Sequence, residues 1–244
     1  MVEVGVAQAQ GPRDHMEDFV HVEPSFADHP ERMYVGVFDG HGGESVARLA
    51  ARDLHGLLAA ELRADVEEPE AFSRTFQSFD ESVAEETGGA VAAVLLLERD
   101  AAWVANAGDV TVVLVSRGGE RVLTADHRLG NPVEYDRVRK AGAIIERPYA
   151  FLPNGDGLMP TRSLGDRPFR AIGILAEPEV SSFTLTQRDA WIVVGTDGVF
   201  DFLEPETVAR LVRAATTANL AAERIRDAAL QVSDDNVTVV AIRR

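Results

Sequence analysis

Several aspartates stand where predicted strands end. Asp39 ends one apolar strand in the run Phe38-Asp39-Gly40-His41, and Asp197 follows another in the run Gly195-Thr196-Asp197-Gly198. Asp235 precedes the last predicted strand, Asp109 lies in a Gly-Asp pair, and Asp201 follows Asp197 closely. A neighbouring strand fixes side-chain direction, and hard divalent cations need oxygen ligands positioned in this way. Two such cations close together need several carboxylates between them, with one of them bridging.

An arginine, a histidine and two further acids accompany these aspartates. Arg13, Glu17 and Asp18 lead into the second predicted strand, and His41 follows Asp39 in a glycine-flanked turn. Each has a simpler interpretation when taken alone: an Asp-Gly pair is commonly a plain turn, His41 a turn residue and Arg13 a surface charge. Their joint occurrence at the mouths of separate strands favours a functional interpretation.

Short β-branched and apolar runs predict the strands that position these residues. The predicted strands cover residues 2–10, 18–23, 33–38, 90–97, 101–107, 110–116, 121–124, 180–185, 190–195 and 236–242. Apolar residues at helical spacing predict helices over 44–62, 69–83, 205–215 and 221–232, with a short helix over 132–141. The spacing of 101–107 and 110–116 predicts a tight turn at Gly108-Asp109.

Helix pairs fall between blocks of strands that are spaced like hairpins. This order predicts an α+β fold in which two antiparallel sheets pack together and are covered by helices. Residues 128–164 contain several Pro and Gly and few regular signals, so we expect an irregular, mobile flap there. No internal repeat or linker composition divides the chain, and we expect one domain over residues 1–244.

Composition excludes several classes of chemistry. The chain has 244 residues, no cysteine and a formal net charge of −16. Without cysteine there is no disulfide framework, thiolate zinc site, iron–sulfur cluster or cysteine nucleophile. Strong acidity argues against nucleic acid as a partner. No leader or membrane-length apolar run is evident, so we expect a cytoplasmic protein without membrane attachment.

Seven short motifs occur in a fixed order and together resemble one enzyme family. They are Arg13-x-x-Met16-Glu17-Asp18, Phe38-Asp39-Gly40-His41-Gly42-Gly43, Asn106-x-Gly108-Asp109, Leu123-Thr124-x-Asp126-His127, Arg162-Ser163-x-Gly165-Asp166, Asp197-Gly198-x-x-Asp201 and Asp235-Asn236. Each motif is weak alone, but the ordered set resembles the PP2C (PPM) family of metal-dependent protein serine/threonine phosphatases. The length resembles the compact bacterial type.

The resemblance implies a four-layer α-β-β-α sandwich with a two-metal centre between the sheets. By motif, Asp39 resembles the carboxylate that bridges both metals, and Asp197 and Asp235 resemble further ligands of the first. Glu17 and the Gly40 carbonyl resemble ligands of the second metal. Mn²⁺ or Mg²⁺ is favoured, because all of these ligands are oxygen atoms.

The resemblance also implies roles for residues around the two metals. Asp18 resembles an acid that holds a metal-bound water, Arg13 the phosphate clamp, and His41 the general acid for the leaving alcohol. Asp109 and Asp201, with Asp197, resemble a third metal site. Asp166 matches a family position without a ligand role.

Hydrolysis of a phosphate monoester needs charge neutralisation and a strong nucleophile, and two metals supply both. The resemblance thus implies metal-dependent hydrolysis of phosphoserine and phosphothreonine in proteins, and it also implies a Ser/Thr kinase in the same pathway. Nothing in the sequence demands more than a monomer. One alternative is an inactive regulatory binding module of the same fold, which would need a lost ligand. Another is an acidic cation-binding structural protein, which would not require Arg13 and His41.

Overall fold

The computed structural model describes residues 2–244, and its largest sheet is antiparallel. This first sheet contains β2 (Asp18–Glu23), β3 (Met33–His41), β4 (Gly89–Leu97), β5 (Ala101–Ala107) and β12 (Glu179–Thr184). The strand order is β12-β5-β4-β3-β2, so β2 lies at an edge, and the short β11 (Leu164–Gly165) also pairs with β4.

A second antiparallel sheet contains the two ends of the described chain. Its strands are β1 (Glu3–Ala9), β6 (Thr111–Ser116), β7 (Gly119–Val122), β13 (Asp189–Gly195) and β14 (Val237–Arg243). They follow the order β1-β14-β13-β6-β7. The two sheets face each other across one apolar core, to which Val37 and Leu95 contribute from the first sheet and Val112, Ile192 and Val240 from the second.

Helices cover the outer face of each sheet. α1 (Ser45–Arg63) and α2 (Glu68–Ser82) pack on the first sheet through side chains such as Leu54 and Phe76. α5 (Pro205–Arg213) and α6 (Ala218–Ala229) pack on the second. The α+β class and the α-β-β-α layering predicted from sequence are therefore confirmed. Within residues 2–244, no helix has both the length and the apolar character needed to cross a bilayer.

The connection between β5 and β6 is not the hairpin turn predicted from the sequence. β5 belongs to the first sheet and β6 to the second, so residues 108–110 cross from one sheet to the other. Gly108 has φ +121°, and a Cβ at this position would lie 2.2 Å from the Val91 side chain. Only glycine fits this crossing, and the crossing carries Asp109 to the end of the sandwich.

The prediction of an irregular flap was wrong. Residues 128–164 contain α3 (Pro132–Lys140) and a three-stranded sheet of β8 (Ile144–Glu146), β9 (Tyr149–Phe151) and β10 (Gly157–Leu158). A small core of their own is formed by Leu129, Val138, Ala150, Leu152 and Leu158 together with Ile172 and Ile174. The flap is thus a folded unit.

One buried carboxylate ties α3 to the chain that leaves the flap. Glu134 accepts hydrogen bonds from Arg137 at 2.6 Å, from the Thr161 hydroxyl at 2.7 Å and from Arg162 at 3.0 Å. Burial acts to raise the pKa of Glu134, but these hydrogen bonds outweigh it and bring the pKa down to about 2. The carboxylate therefore stays ionised and holds α3 against Thr161 and Arg162.

Smaller differences concern element ends. The last helix begins at Ala218, earlier than predicted, because the Thr217 side chain accepts a hydrogen bond from the Leu220 amide and caps it. The strand predicted over 121–124 lies at Gly119–Val122. β3 continues past Phe38 to His41, which keeps Asp39 and His41 on rigid sheet backbone. The short α4 (Asp197–Phe200) and a 3₁₀ turn (Arg167–Ile172) were not predicted.

Candidate active site at the cleft between the sheets

A cleft of about 660 Å³ opens at one end of the sandwich. It is lined from both sheets and from the flap, and its wall includes most of the predicted site residues: Arg13, Glu17, Asp39, Gly40, His41, Asp109, Asp197 and Asp235. Asp18 is buried beside this wall, with 3% of its surface exposed. Asp201 is half-exposed and lies next to the cleft, where it is bonded to a flap arginine.

Strand register places two acids of the first sheet face to face. Asp18 on β2 is directly opposite Asp39 on β3. Asp18 also accepts a hydrogen bond of 3.1 Å from the hydroxyl of Thr196, the residue that directly follows β13 of the second sheet. The sheets are therefore linked at the point where their acids meet.

The second sheet contributes its acids from segments directly after β13 and before β14. Asp197 begins α4 where β13 ends, and Asp235 lies just before β14. A Cβ on Gly198 would lie 1.9 Å from the Asn236 carbonyl oxygen, so glycine permits these two segments to touch. Asn236 in turn accepts from the Glu17 amide at 2.7 Å, which ties the loop before β2 to the same place.

The carboxyl groups in the cleft carry more negative charge than the nearby basic side chains offset. Burial and the charges of Asp18, Asp197, Asp109 and Asp235 raise the pKa of Asp39 well above its ordinary value. Burial first, and then neighbouring acids, raise the pKa of Asp197 to about 7 and that of Asp18 to about 6. A buried group of oxygen ligands with excess negative charge fits Mg²⁺ or Mn²⁺.

Arg13 lies at the rim of the cleft and is half-exposed. Its Nη2 lies 2.6 Å from Asp235 Oδ2, and its Nε donates to the Asp234 carbonyl oxygen at 3.1 Å. Asn236 holds the base of this loop by donating to the carbonyl oxygens of Gln10 and His15. The predicted phosphate clamp is therefore paired with a predicted metal ligand in this structure.

His41 is oriented by an acid to which sequence analysis gave no ligand role. His41 Nε2 lies 2.6 Å from Asp166 Oδ2, and the Ser163 hydroxyl donates to the same oxygen at 2.6 Å. Burial acts to lower the pKa of His41, but the hydrogen bond and charge of Asp166 outweigh it, and the pKa is raised. His41 therefore favours its protonated, donating form.

Glycine at position 89 makes room for this pair. Gly89 lies opposite His41 in the β3–β4 register. A Cβ there would lie 2.1 Å from Asp166 Oδ2 and 2.7 Å from His41 Nε2. Any larger residue would separate the two side chains.

Arg128 lies among the acids that were predicted to bind a third metal. Its Nε donates to Asp109 at 2.6 Å, its Nη1 to Asp201 at 2.8 Å, and its Nη2 to Asp197 at 3.1 Å. Asp126 lies 3.7 Å from the same guanidinium. The structure thus brings Asp109, Asp197 and Asp201 together as predicted, but it places a protein cation between them.

A match to known sequences covers almost the whole chain. Residues 2–237 match the family model described as protein phosphatase 2C. The chain belongs to the protein phosphatase 2C family. The human "Probable protein phosphatase 1N" is 33% identical over 98% of this chain, which spans 60% of that relative. "Protein phosphatase 2C homolog 1" of Saccharomyces cerevisiae is 29% identical, and here the match spans 92% of the relative.

The fold is shared with solved PP2C structures. The serine-threonine phosphatase 2C from Toxoplasma gondii superposes with a TM-score of 0.83 at 18% identity, covering 98% of this chain and 94% of that one. This likeness supports the fold class and its layering.

Sequence analysis missed the roles of one residue in the wall of this PP2C cleft, Asp166, and of one beside it, Arg128. Asp166 was recognised only as part of a motif, and its contact with His41 joins residues that are far apart in the chain. Arg128 directly follows the Asp126-His127 motif, and a basic residue beside an acid cluster was the one available signal. Neither contact is visible in local periodicity.

Asp39→Asn should have opposite effects on stability with and without divalent cations. In chelator, replacing a carboxyl whose ionisation is opposed by burial and by neighbouring acids should raise the free energy of unfolding. With Mn²⁺, the wild type should gain stability through binding and the variant should gain much less. Thermal unfolding in EDTA and in Mn²⁺ measures both effects.

Asp100→Asn, at an exposed acid outside the cleft, is the matched control and should leave the stability unchanged both in EDTA and in Mn²⁺. If Asp39→Asn loses stability in EDTA and still gains as much from Mn²⁺ as the wild type does, Asp39 does not face the cations.

Proposed function

We propose that this protein is a metal-dependent protein serine/threonine phosphatase that hydrolyses phosphoserine and phosphothreonine in proteins. The observation that carries the proposal is the convergence of acids from both sheets on one cleft whose wall also contains Arg13 and His41. Membership of the PP2C family and the names of its relatives support the same activity. We treat residues 1–244 as one catalytic domain with a flap over about 128–164.

In this proposal Asp39, Asp197, Asp235, Glu17 and the Gly40 carbonyl hold two Mn²⁺ or Mg²⁺ ions. Such ions supply a nucleophilic water and neutralise the phosphoryl charge. This also explains how a protein of net charge −16 accepts a dianionic substrate, since bound cations reverse the local sign. In the same proposal Asp18, which accepts a hydrogen bond from Thr196, would hold a water of the metal centre.

Arg13 and His41 act on different atoms of the phosphate ester in the proposed mechanism. The Arg13 guanidinium is half-exposed, so it can turn from Asp235 and bind two phosphoryl oxygens. His41 donates a proton to the leaving serine or threonine oxygen. Asp166 positions His41 through the 2.6 Å contact and favours its protonated form.

We propose that Arg128 takes the place of a third ion at Asp109 and Asp201. The guanidinium already bonds Asp109, Asp197 and Asp201, so an outer ion would have to displace it. In that case two ions stay bound to the core ligands, and a third ion binds weakly. The expected partners follow from the proposed activity: phosphoproteins as substrates and a Ser/Thr kinase in the same pathway. A monomeric state and a cytoplasmic location stay predictions.

The direct test is release of phosphate from a phosphothreonine peptide. We expect release that requires Mn²⁺ or Mg²⁺ and that is abolished in Asp39→Asn, since Asp39 would be a ligand of the ions that supply the nucleophilic water. A wild-type protein that binds Mn²⁺ and phosphopeptide without releasing phosphate would instead support the inactive binding module. Binding of Mn²⁺ without any affinity for phosphopeptide would support a cation-binding structural protein.

His41→Gln should slow hydrolysis according to the basicity of the leaving group. An alkoxide needs a proton in the transition state, whereas nitrophenolate hardly does, and general-acid catalysis is worth about 10²–10⁴-fold. Steady-state rates should therefore fall strongly on the phosphothreonine peptide and weakly on nitrophenyl phosphate. An equal loss on both substrates would show that His41 only shapes the turn.

Arg128→Met should increase the number of Mn²⁺ ions bound, because it removes the charge that occupies the outer acids and keeps the length of the side chain. We expect two ions in the wild type and three in the variant at millimolar Mn²⁺, counted by calorimetry. Adding Asp201→Ala should return the count to two. Arg139→Met, at an exposed arginine of α3, is the matched control. An unchanged count in Arg128→Met would contradict the competition.

A further inference from the structure

A second group of metal-ligating side chains lies outside the cleft, between β2 and α1. His21 and Glu23 are alternate residues of β2 and therefore share one face of the sheet, and His55 comes from α1. One ligand atom from each residue lies within 4.8 Å of the other two. His21 Nε2 is 3.8 Å from Glu23 Oε2, and the two imidazole rings stack with centroids 3.9 Å apart.

Two polar atoms at this place are buried without a hydrogen-bond partner among the described residues. They are Nδ1 of His55 and the hydroxyl oxygen of Tyr34. Tyr34 is fully buried, and its ring meets His21 and His55 edge-on with centroid distances of 5.7 and 6.2 Å. Leaving such atoms unpaired costs folding free energy, so the site favours a ligand that takes the free imidazole nitrogen.

The neighbouring backbone leaves space for the tyrosine hydroxyl beside the histidines. Gly36 lies opposite His21 in the β2–β3 register. A Cβ on Gly36 would lie 2.7 Å from the Tyr34 hydroxyl oxygen, so a side chain there would occupy its place. The Tyr34 hydroxyl therefore lies over Gly36, the residue opposite His21.

The ligand types favour a different metal from that of the cleft. Burial, and then the charge of His55, lower the pKa of His21, and neutral imidazole is the form that binds metals. Two imidazoles and one carboxylate suit Zn²⁺ and similar transition metals, whereas Mg²⁺ and Mn²⁺ prefer oxygen ligands alone. His21 and Glu23 are partly exposed, which leaves a path for an ion and a position for water.

We propose that His21, Glu23 and His55 form a site for one Zn²⁺-class transition metal ion, separate from the catalytic cleft. The ion would connect α1 to β2, which is an edge strand with a neighbour on one side. Its expected consequence is stabilisation of that edge. Asp18 of the cleft lies on the same strand, roughly 10 Å from His21 at the usual rise per residue.

The test compares Zn²⁺ binding in the wild type with binding in His21→Phe and His55→Phe. Phenylalanine keeps the stacked ring and removes the nitrogen ligands, so these variants should fold. Calorimetry in saturating Mg²⁺ counts the ions, and thermal unfolding measures the stabilisation. We expect each variant to bind one Zn²⁺ fewer than the wild type, or to bind that ion about 100-fold more weakly, and to lose the associated rise in Tm.

His29→Phe, at an exposed histidine outside the group, is the matched control and should bind as the wild type does. Co²⁺ provides a second readout that does not depend on activity, since imidazole ligation gives a visible absorption band that both variants should lack. The proposal is overturned if Zn²⁺ stoichiometry and affinity are the same in the wild type and both variants. In that case the two histidines serve only to pack α1 on β2. The outcome is independent of whether the cleft hydrolyses phosphate.

Discussion

Mutual repulsion between buried carboxylates is the constraint on which the rest of this structure depends. Asp39 meets Asp18 within the first sheet and lies close enough to Asp197 and Asp235 of the second for their charges to raise its pKa. Flexible loops would relax such an arrangement by moving the charges apart. Two sheets packed on a shared apolar core cannot do so, and the carboxylates therefore stay close enough to oppose one another's ionisation.

Arginine side chains supply part of the missing positive charge. Arg13 pairs with Asp235 at the rim, and Arg128 reaches from the start of the flap to Asp109 and Asp201. Both guanidiniums bond carboxylates that metal ions would also use. The two guanidiniums thus offset part of the negative charge of these carboxylates, Arg13 at the rim of the cleft and Arg128 beside it.

Steric exclusion is as important to the site as charge. His41 and Asp166 meet because position 89 has no side chain, and Asp109 reaches the cleft because only glycine fits at position 108. The flap forms another wall of the cleft and is a folded unit. Glu134 holds α3 in place within it, and hydrogen bonds keep the Glu134 carboxylate ionised. These positions are therefore set by packing, and the reactive groups are held in place before a substrate arrives.

The sequence by itself determined the elements and the type of chemistry. Apolar periodicity predicted the sandwich strands and the four long helices, and acids at strand ends with no cysteine indicated metal-based chemistry, because such signals are local. Only the tertiary structure decided which sheet each strand joins, as the crossing at Gly108 shows, and that residues 128–164 fold on their own core. It also decided that Arg128 bonds Asp201 and that His41 bonds Asp166. These contacts join residues distant in the chain, and their energies depend on burial and distance, which local patterns do not encode.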